Sequence, residues 1–234
     1  SSFIGPLKTR SRYSATSVDQ LPHQLLVMWM YGHQLMVPIS DIDRTNYFLV
    51  LGAKPMASNG SLMTVPNFRG RLKALHARGG KMVVIDPRRS ETAVVADEHH
   101  FIKPGGDAAF LAALLKTILD ENLARPGRVG EFTDGLEDAA RAIQALDINV
   151  LAQYCNVDAA AIQRIAREFA SADGAACYGR MGVSTQRYGT LCQWLIQLIN
   201  LFTGNLDREG GMLFPQPALD LVHNPMSKPG HFAQ

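Results

Sequence analysis

Cysteine is scarce in this sequence, and the spacing of its cysteines excludes the common cysteine-based metal sites. The 234 residues include three, Cys155, Cys177 and Cys192, and no two of them have CxxC spacing. Neither a zinc site nor an iron–sulfur cluster can therefore be read from them. A small, odd number of cysteines also suits a reducing compartment, which favours the cytoplasm over the periplasm.

Long apolar runs and a strong charge of one sign are also absent. The longest apolar stretch, Leu25 to Tyr31, is far shorter than the ~18 residues of a transmembrane helix, so we expect no membrane contact. The net charge of +2 is too small to indicate nucleic-acid binding. The sequence has no GxGxxG or GK[ST] motif, which disfavours an ordinary dinucleotide-binding enzyme.

Both ends of the sequence resemble cut points. It begins SSFIGP, without an initiating Met or a signal segment, and it ends in PMSKPGHFAQ. We therefore expect part of a larger multidomain protein rather than a processed mature chain. A composition of 47% hydrophobic and 19% charged residues predicts a globular unit with a sizeable core.

Short apolar runs alternate with amphipathic segments along the chain. Residues 47–52, 81–85 and 174–179 are typical of buried strands, and 99–103 of a further one. This order predicts an α/β fold, with a Rossmann-like, mostly parallel sheet and helices on both faces. The predicted helices lie within residues 21–36, 67–78, 90–98, 107–123, 131–170 and 190–202.

Three loops would meet at the carboxyl ends of the strands, where open parallel sheets bind ligands. Their sequences are GAKPMASNGS (52–61), DPRRSET (86–92) and GRMGVSTQ (179–186). In the first loop, Gly52 permits close backbone approach, and Ser58 offers a short hydrogen-bonding group. This loop fits a phosphate-binding turn and an ordinary loop equally well.

The second loop and the following PGGD carry charged residues. Asp86 lies where nucleotide-binding folds contact a ribose or base. Arg88 and Arg89 can clamp a diphosphate, or they can lie on the surface and pair with Glu91 or Asp97. Asp107 is predicted to cap the following helix, and its carboxylate can also accept two N–H groups of a guanine edge.

The ordered set of loops resembles the molybdopterin oxidoreductases, which include dimethyl sulfoxide reductases, formate dehydrogenases and periplasmic nitrate reductases. The family pattern runs G-x-N-P, D-P-R-x-x-x-T-A-x-x-A-D, P-G-x-D, G-x-x-x-x-G and L-T-G-N-x-x-x-x-G-G. Here the matching segments are VLGAKPMASNGS, VVIDPRRSETAVVADEHHFIKPGGD, YGRMGVSTQRYGT and INLFTGNLDREGGM. The resemblance covers roughly residues 12–214.

The resemblance implies a bis-(molybdopterin guanine dinucleotide) molybdenum cofactor held between two Rossmann-like domains. This chain would supply one of them, at 47–214, preceded by a segment 1–46 with the metal-ligand loop and followed by a loop-like segment 215–234. A [4Fe-4S] cluster is expected in an N-terminal region outside this chain. The implied partners are a small-molecule substrate and an electron-transfer subunit.

Site residues carry over from the family by position. Gly52, Lys54 and Pro55 would line the pterin or phosphate side, and Asp86 and Arg88 would approach the guanosine and its diphosphate. A second group would read the guanine edge or border the cofactor: Asp107, Met181 and Gly182.

The molybdenum ligand is predicted at Ser14, with Ser17 and Asp19 as rivals, because the family's ligand loop has no cysteine here. The alternative for Ser14 is a hydrogen bond within a turn. Lys54 replaces the family's usual Asn, and Ala15 and Trp194 replace the His and Arg of formate dehydrogenases. Formate is therefore a doubtful substrate.

A non-catalytic relative is the rival interpretation. The large iron–sulfur subunit of respiratory complex I keeps this fold without molybdenum and acts as an electron-transfer scaffold. The retained DPRR and PGGD motifs favour the enzyme, because an empty cradle needs no guanine contacts.

Overall fold

The computed structural model describes residues 5–216 except Arg12, together with residues 218, 220 and 222. Most of the predicted loop-like segment 215–234 therefore lies outside the described residues. The strands are β1 Ile39–Ser40, β2 Tyr47–Leu51, β3 Lys81–Ile85, β4 Glu98–His100, β5 Ala175–Gly179 and β6 Met212–Leu213. The helices are α1 Thr16–Asp19, α2 Leu21–Tyr31, α3 Pro55–Ser58, α4 Phe68–Ala77, α5 Glu91–Val94, α6 Asp107–Asp120, α7 Gly127–Gly130, α8 Leu136–Gln144, α9 Ile148–Cys155, α10 Ala159–Ser171, α11 Met181–Ser184 and α12 Gly189–Phe202.

Four of the strands form one parallel sheet in the order β4-β3-β2-β5. Side chains alternate across it, so that Leu49 and Leu51 of β2 pack into one core and Phe48 and Val50 into the other. The first core is closed by α6, α9, α10 and α12, and α4 covers the second. The predicted α/β fold, with helices on both faces of a parallel sheet, is confirmed.

Local structure differs from the sequence prediction at several places. The helix predicted over 21–36 ends at Tyr31, because Gly32 adopts the left-handed conformation with φ of 83°. The fourth strand begins at Glu98 rather than at residue 99 and is shorter than predicted. The prediction that Asp107 caps α6 is wrong, because Gly106 holds the cap position and Asp107 is the first helical residue.

The edge of the sheet at β5 is covered by asparagine side chains. Asn200 accepts a hydrogen bond from the Cys177 amide at 2.9 Å and donates to the Cys177 carbonyl at 3.0 Å. Asn205 accepts from the Ala175 amide at 3.0 Å. These two side chains satisfy three of the β5 backbone groups that face away from β2, the amides of Ala175 and Cys177 and the Cys177 carbonyl.

An ion-pair network joins the sheet to α10. Glu98 pairs with Lys81 at 2.6 Å and with Arg164 at 2.6 Å, and Lys81 also pairs with Glu168 at 2.8 Å. The guanidinium of Arg164 is the main reason that the pKa of Glu98 is lowered to about 2.

None of the helices among the described residues has the length and apolar character needed to span a membrane.

Candidate functional site

The three predicted loops do meet at the carboxyl edge of the sheet, around a cavity of about 660 Å³. Such a volume is typical of small-molecule and cofactor sites. The chain goes from β2 to β3 and β4 on one side of the sheet, and later adds β5 on the other side of β2. The cavity lies at this reversal of strand order, which is the usual ligand position in open parallel sheets. Its lining includes seven of the predicted cofactor-binding residues: Gly52, Lys54, Ser58, Asp86, Asp107, Met181 and Gly182.

Two glycines bring the loops after β2 and β5 into direct backbone contact. The Gly182 amide donates to the Gly52 carbonyl at 2.9 Å. A Cβ atom on Gly52 would lie 2.8 Å from the Val183 nitrogen, and Gly52 has φ of +52°. Glycine is therefore required here for contact between the loops, whereas the sequence suggested close approach to a ligand.

An acidic cluster lies on one side of the cavity. Gln186 donates from Nε2 to Asp107 Oδ2 at 2.6 Å, and the Arg88 amide donates to Asp86 Oδ1 at 2.8 Å. Burial raises the pKa of Asp107, and the nearby Asp86 acts in the same direction, while the bond from Gln186 opposes them. Gln186 Oε1 is buried without a hydrogen-bond partner among the described residues.

A buried arginine organises a second cluster, separate from the first. Arg180 Nε donates to Ser61 Oγ at 3.0 Å, and its Nη1 donates to the Asp19 carbonyl at 3.1 Å. Its Nη2 lies 3.5 Å from Asp19 Oδ2. Asp19 Oδ1 is buried and has no hydrogen-bond partner in the described part of the chain.

A buried histidine, His23, contacts both ends of the segment 179–184 that follows β5. The Gly179 carbonyl, 3.3 Å from His23 Nε2, can only accept a hydrogen bond, so Nε2 carries the proton. Nδ1 then accepts from Ser184 Oγ at 3.3 Å. Burial, together with the charge of Arg180, lowers the pKa of His23 to about 4, so the imidazole is neutral at pH 7.

Lys54 is the exposed cation of the cavity lining. Its backbone precedes α3, and its ammonium group has no ion-pair partner among the described residues. The cavity also contains the side chains of Asp19, Asp86, Asp107 and Arg180. An unpaired ammonium in this lining can pair with a diphosphate.

Several predicted site residues lie outside this cavity. The arginines of DPRR are exposed, and Arg88 is 3.9 Å from Glu91, the surface pairing that the sequence left open. Pro55 is buried at the start of α3. Ser14 and Ser17 are exposed, and Ser14 Oγ donates to Thr16 Oγ1 at 2.9 Å. Of the three proposed metal ligands, Asp19 lines the cavity.

Sequence reasoning missed Arg180 and Gln186 as cavity residues, although both lie in a loop that it selected. Arg180 could have been selected from the sequence, because it is a charged residue between two glycines at the end of a strand, in Gly179-Arg180-Met181-Gly182. The described residues contain no group of three or more His, Cys, Asp or Glu that could hold a metal ion.

A second cavity of about 680 Å³ lies away from the strand ends. Its lining is largely apolar and includes Trp29, Phe132 and Trp194. The convergent polar groups and the reversal of strand order are both at the first cavity. We therefore assign the candidate site there.

Most of the chain also matches known proteins. Residues 3–226 match the family model of molybdopterin oxidoreductases. The chain belongs to the molybdopterin oxidoreductase family. The family recognised from the loop motifs is thereby confirmed.

Curated relatives of this molybdopterin oxidoreductase chain include two enzymes whose matches cover most of this chain. It is 33% identical over 183 residues to the thiosulfate reductase molybdopterin-containing subunit PhsA of Salmonella typhimurium, covering 74% of this chain and 22% of the relative. It is 29% identical over 200 residues to formate dehydrogenase H of Escherichia coli, covering 82% of this chain and 27% of the relative. The chain thus spans about a quarter of the length of these relatives.

A solved structure supports the fold. Acetylene hydratase from Pelobacter acetylenicus superposes with a TM-score of 0.71 over 86% of this chain and 27% of that one, at 22% identity. At this identity the likeness concerns the fold alone.

Proposed function

We propose that the cavity binds one molybdopterin guanine dinucleotide of a bis-(molybdopterin guanine dinucleotide) molybdenum centre. The observation that carries the proposal is the convergence of the three family loops on a single cavity with acceptors, a free cation and an unsatisfied carboxylate oxygen. An elongated ligand with hydrogen-bond donors at one end and a diphosphate in its middle suits this lining.

The residues of the cavity fit distinct parts of such a ligand. Asp107 and Gln186 present oxygen acceptors on the acidic side, which suits the N–H groups of a guanine, and Asp86 lies beside them. Lys54 suits the diphosphate. When bound, the molybdenum centre supplies the two-electron chemistry, while this chain orients the cofactor and sets its electrostatic surroundings.

The full-length protein is proposed to be a molybdenum-dependent oxidoreductase that transfers an oxygen atom or a hydride equivalent. Relatives that cover this chain well are named as thiosulfate reductase and formate dehydrogenase, which supports redox chemistry but leaves the substrate open. We propose that this chain alone is inactive, since it spans about a quarter of those relatives. Four further points stay predictions: a small-molecule substrate, an electron-transfer subunit, a [4Fe-4S] cluster outside this chain and a cytoplasmic location.

Cofactor analysis of the full-length protein tests the proposal. Protein purified from a molybdenum-replete host should contain molybdenum and release about two guanine nucleotides per metal on acid hydrolysis, because each bis-cofactor carries two dinucleotides. Protein free of both would contradict the enzyme and support the rival, an electron-transfer scaffold like the large subunit of complex I.

A further inference from the structure

Asp19 has one carboxylate oxygen engaged by the protein and one that is not. Oδ2 lies 3.5 Å from Arg180 Nη2, whereas Oδ1 is buried and without a hydrogen-bond partner among the described residues. A buried carboxylate oxygen without a partner is costly, typically by about 1–3 kcal/mol. Asp19 lines the cavity, so a ligand there is in a position to satisfy it.

We propose that Asp19 Oδ1 contacts the bound cofactor and that Arg180 is the positioning residue that holds Asp19 against the cavity. This inference rests on the proposed function. The contact is with an electron-poor group of the cofactor, either an N–H donor of the pterin or the metal itself. A carboxylate oxygen suits both, because it accepts hydrogen bonds and binds hard cations.

The attachment of α1 explains why Arg180 matters. This helix has four residues and buries none of them. Arg180 is 6% exposed and holds the end of α1 through both the backbone carbonyl and the carboxylate of Asp19. The same guanidinium donates to Ser61 in the loop after β2, so one side chain fixes Asp19 relative to two cavity loops. A planar guanidinium makes these contacts together, whereas an ammonium offers a single centre.

Asp19 is therefore favoured over Ser14 as the contact from this segment. Ser14 is exposed, does not line the cavity and donates its hydroxyl to Thr16 at 2.9 Å. Asp19 already has the arrangement of a ligand whose other oxygen is held by the protein, which is how ligating carboxylates are oriented.

Variants of the full-length protein test this inference. Wild type, Asp19→Asn, Ser14→Ala and Asp138→Asn would be purified from a molybdenum-replete host. X-ray absorption at the molybdenum edge counts oxygen neighbours, and acid hydrolysis measures guanine nucleotide after dialysis. Asp19→Asn should lose one molybdenum–oxygen neighbour if the contact is to the metal. It should retain about tenfold less nucleotide, with an unchanged spectrum, if the contact is to an N–H group.

Ser14→Ala and the matched surface variant Asp138→Asn should resemble wild type in both measurements. Wild-type values in Asp19→Asn would overturn the inference, and so would a spectrum altered by Ser14→Ala alone. Wild-type protein that lacks both molybdenum and guanine nucleotide would overturn the proposed function, and this inference with it.

The role of Arg180 has its own readout. Arg180→Met should increase amide hydrogen exchange across residues 13–20 and reproduce the cofactor change of Asp19→Asn, and Arg180→Lys should restore part of both. Exchange at the wild-type rate in Arg180→Met would show that Arg180 does not position this segment.

Discussion

Gly52 and Gly182 lie backbone against backbone, and this contact joins the loops that follow two neighbouring strands. The Gly182 amide donates to the Gly52 carbonyl, and a Cβ atom on Gly182 would lie 2.9 Å from Gly52 Cα. The two loops are therefore tied together at the floor of the cavity.

Replacing Gly52 with Ala tests this contact. The variant must accept a left-handed backbone, which costs about 1–2 kcal/mol, and a clash with backbone that cannot yield, which costs about 1–3 kcal/mol more. Urea unfolding of the 234-residue chain should show the sum. Gly127→Ala is the matched control, because Gly127 has φ of +60° and open space around it. Equal losses in the two variants would contradict a tight contact.

Lys54→Ala should weaken retention of guanine dinucleotide by about tenfold in the full-length protein, because an ammonium–phosphate contact is worth roughly 1–2 kcal/mol. Nucleotide released after dialysis gives the measurement. Lys73→Ala, an exposed lysine on α4, should have no effect. If both variants retain nucleotide as wild type does, the diphosphate lies elsewhere.

Asp107→Asn should separate stability from binding. Folding raises the pKa of Asp107 above its ordinary value of 3.8, so the folded chain binds more protons than the unfolded chain just above that pH. The free energy of unfolding should fall as pH rises through this window, and Asn should remove the fall. At pH 7 the variant should be at least as stable as wild type, and the full-length variant should retain at least about tenfold less guanine nucleotide. Urea unfolding and nucleotide release measure the two effects, with Asp138→Asn unchanged in both.

His23 should make stability depend on pH between 4 and 6.5. Its pKa falls from 6.5 in the unfolded chain to about 4 on folding, so the unfolded chain binds more protons in this interval. The free energy of unfolding should therefore rise with pH there, by up to about 1.4 kcal/mol per unit, and level off above 6.5. Urea unfolding at several pH values measures the slope. His23→Gln should flatten it, and His76→Gln, which keeps His23, should not.

Glu98→Gln should destabilise the chain by about 1–2 kcal/mol at neutral pH, since the carboxylate holds Arg164, Lys81 and His100 and is only partly screened by solvent. Because the pKa of Glu98 is lowered on folding, this stabilisation is present above about pH 4.5 and is lost as pH falls toward 2. The difference between variant and wild type should shrink in high salt. Exposed Glu131→Gln is the control, and an equal loss there would contradict the network.

The sequence predicted the sheet and its ligand edge because both follow from local patterns. A run such as KMVVI marks a buried strand, and each parallel strand must place its following loop at the same edge. The family followed from the order of four matching sequence segments. The position of Gly52 was predicted, but its structural partner was not, because nothing local in the sequence shows that residue 182 touches it.

Contacts between distant parts of the chain account for most of the remaining differences. The burial of Arg180 depends on Asp19, which is 161 residues away. Asp107 was predicted to cap a helix because Asp favours helix starts, yet Gly106 takes that position and Gln186 engages the carboxylate. The sequence predicted the surface pairing of Arg88 with Glu91 only as one of two equal alternatives, the other being a diphosphate clamp.

The asparagines that cover β5 affect whether another chain can pair with this edge of the sheet. An exposed edge strand is a template on which another chain can add a strand, and repeated addition leads to aggregation. At β5 the outward amides of Ala175 and Cys177 are already bonded to Asn205 and Asn200. These two amides are therefore not free to pair with a strand of another chain, so we expect this edge to be a poor template for aggregation.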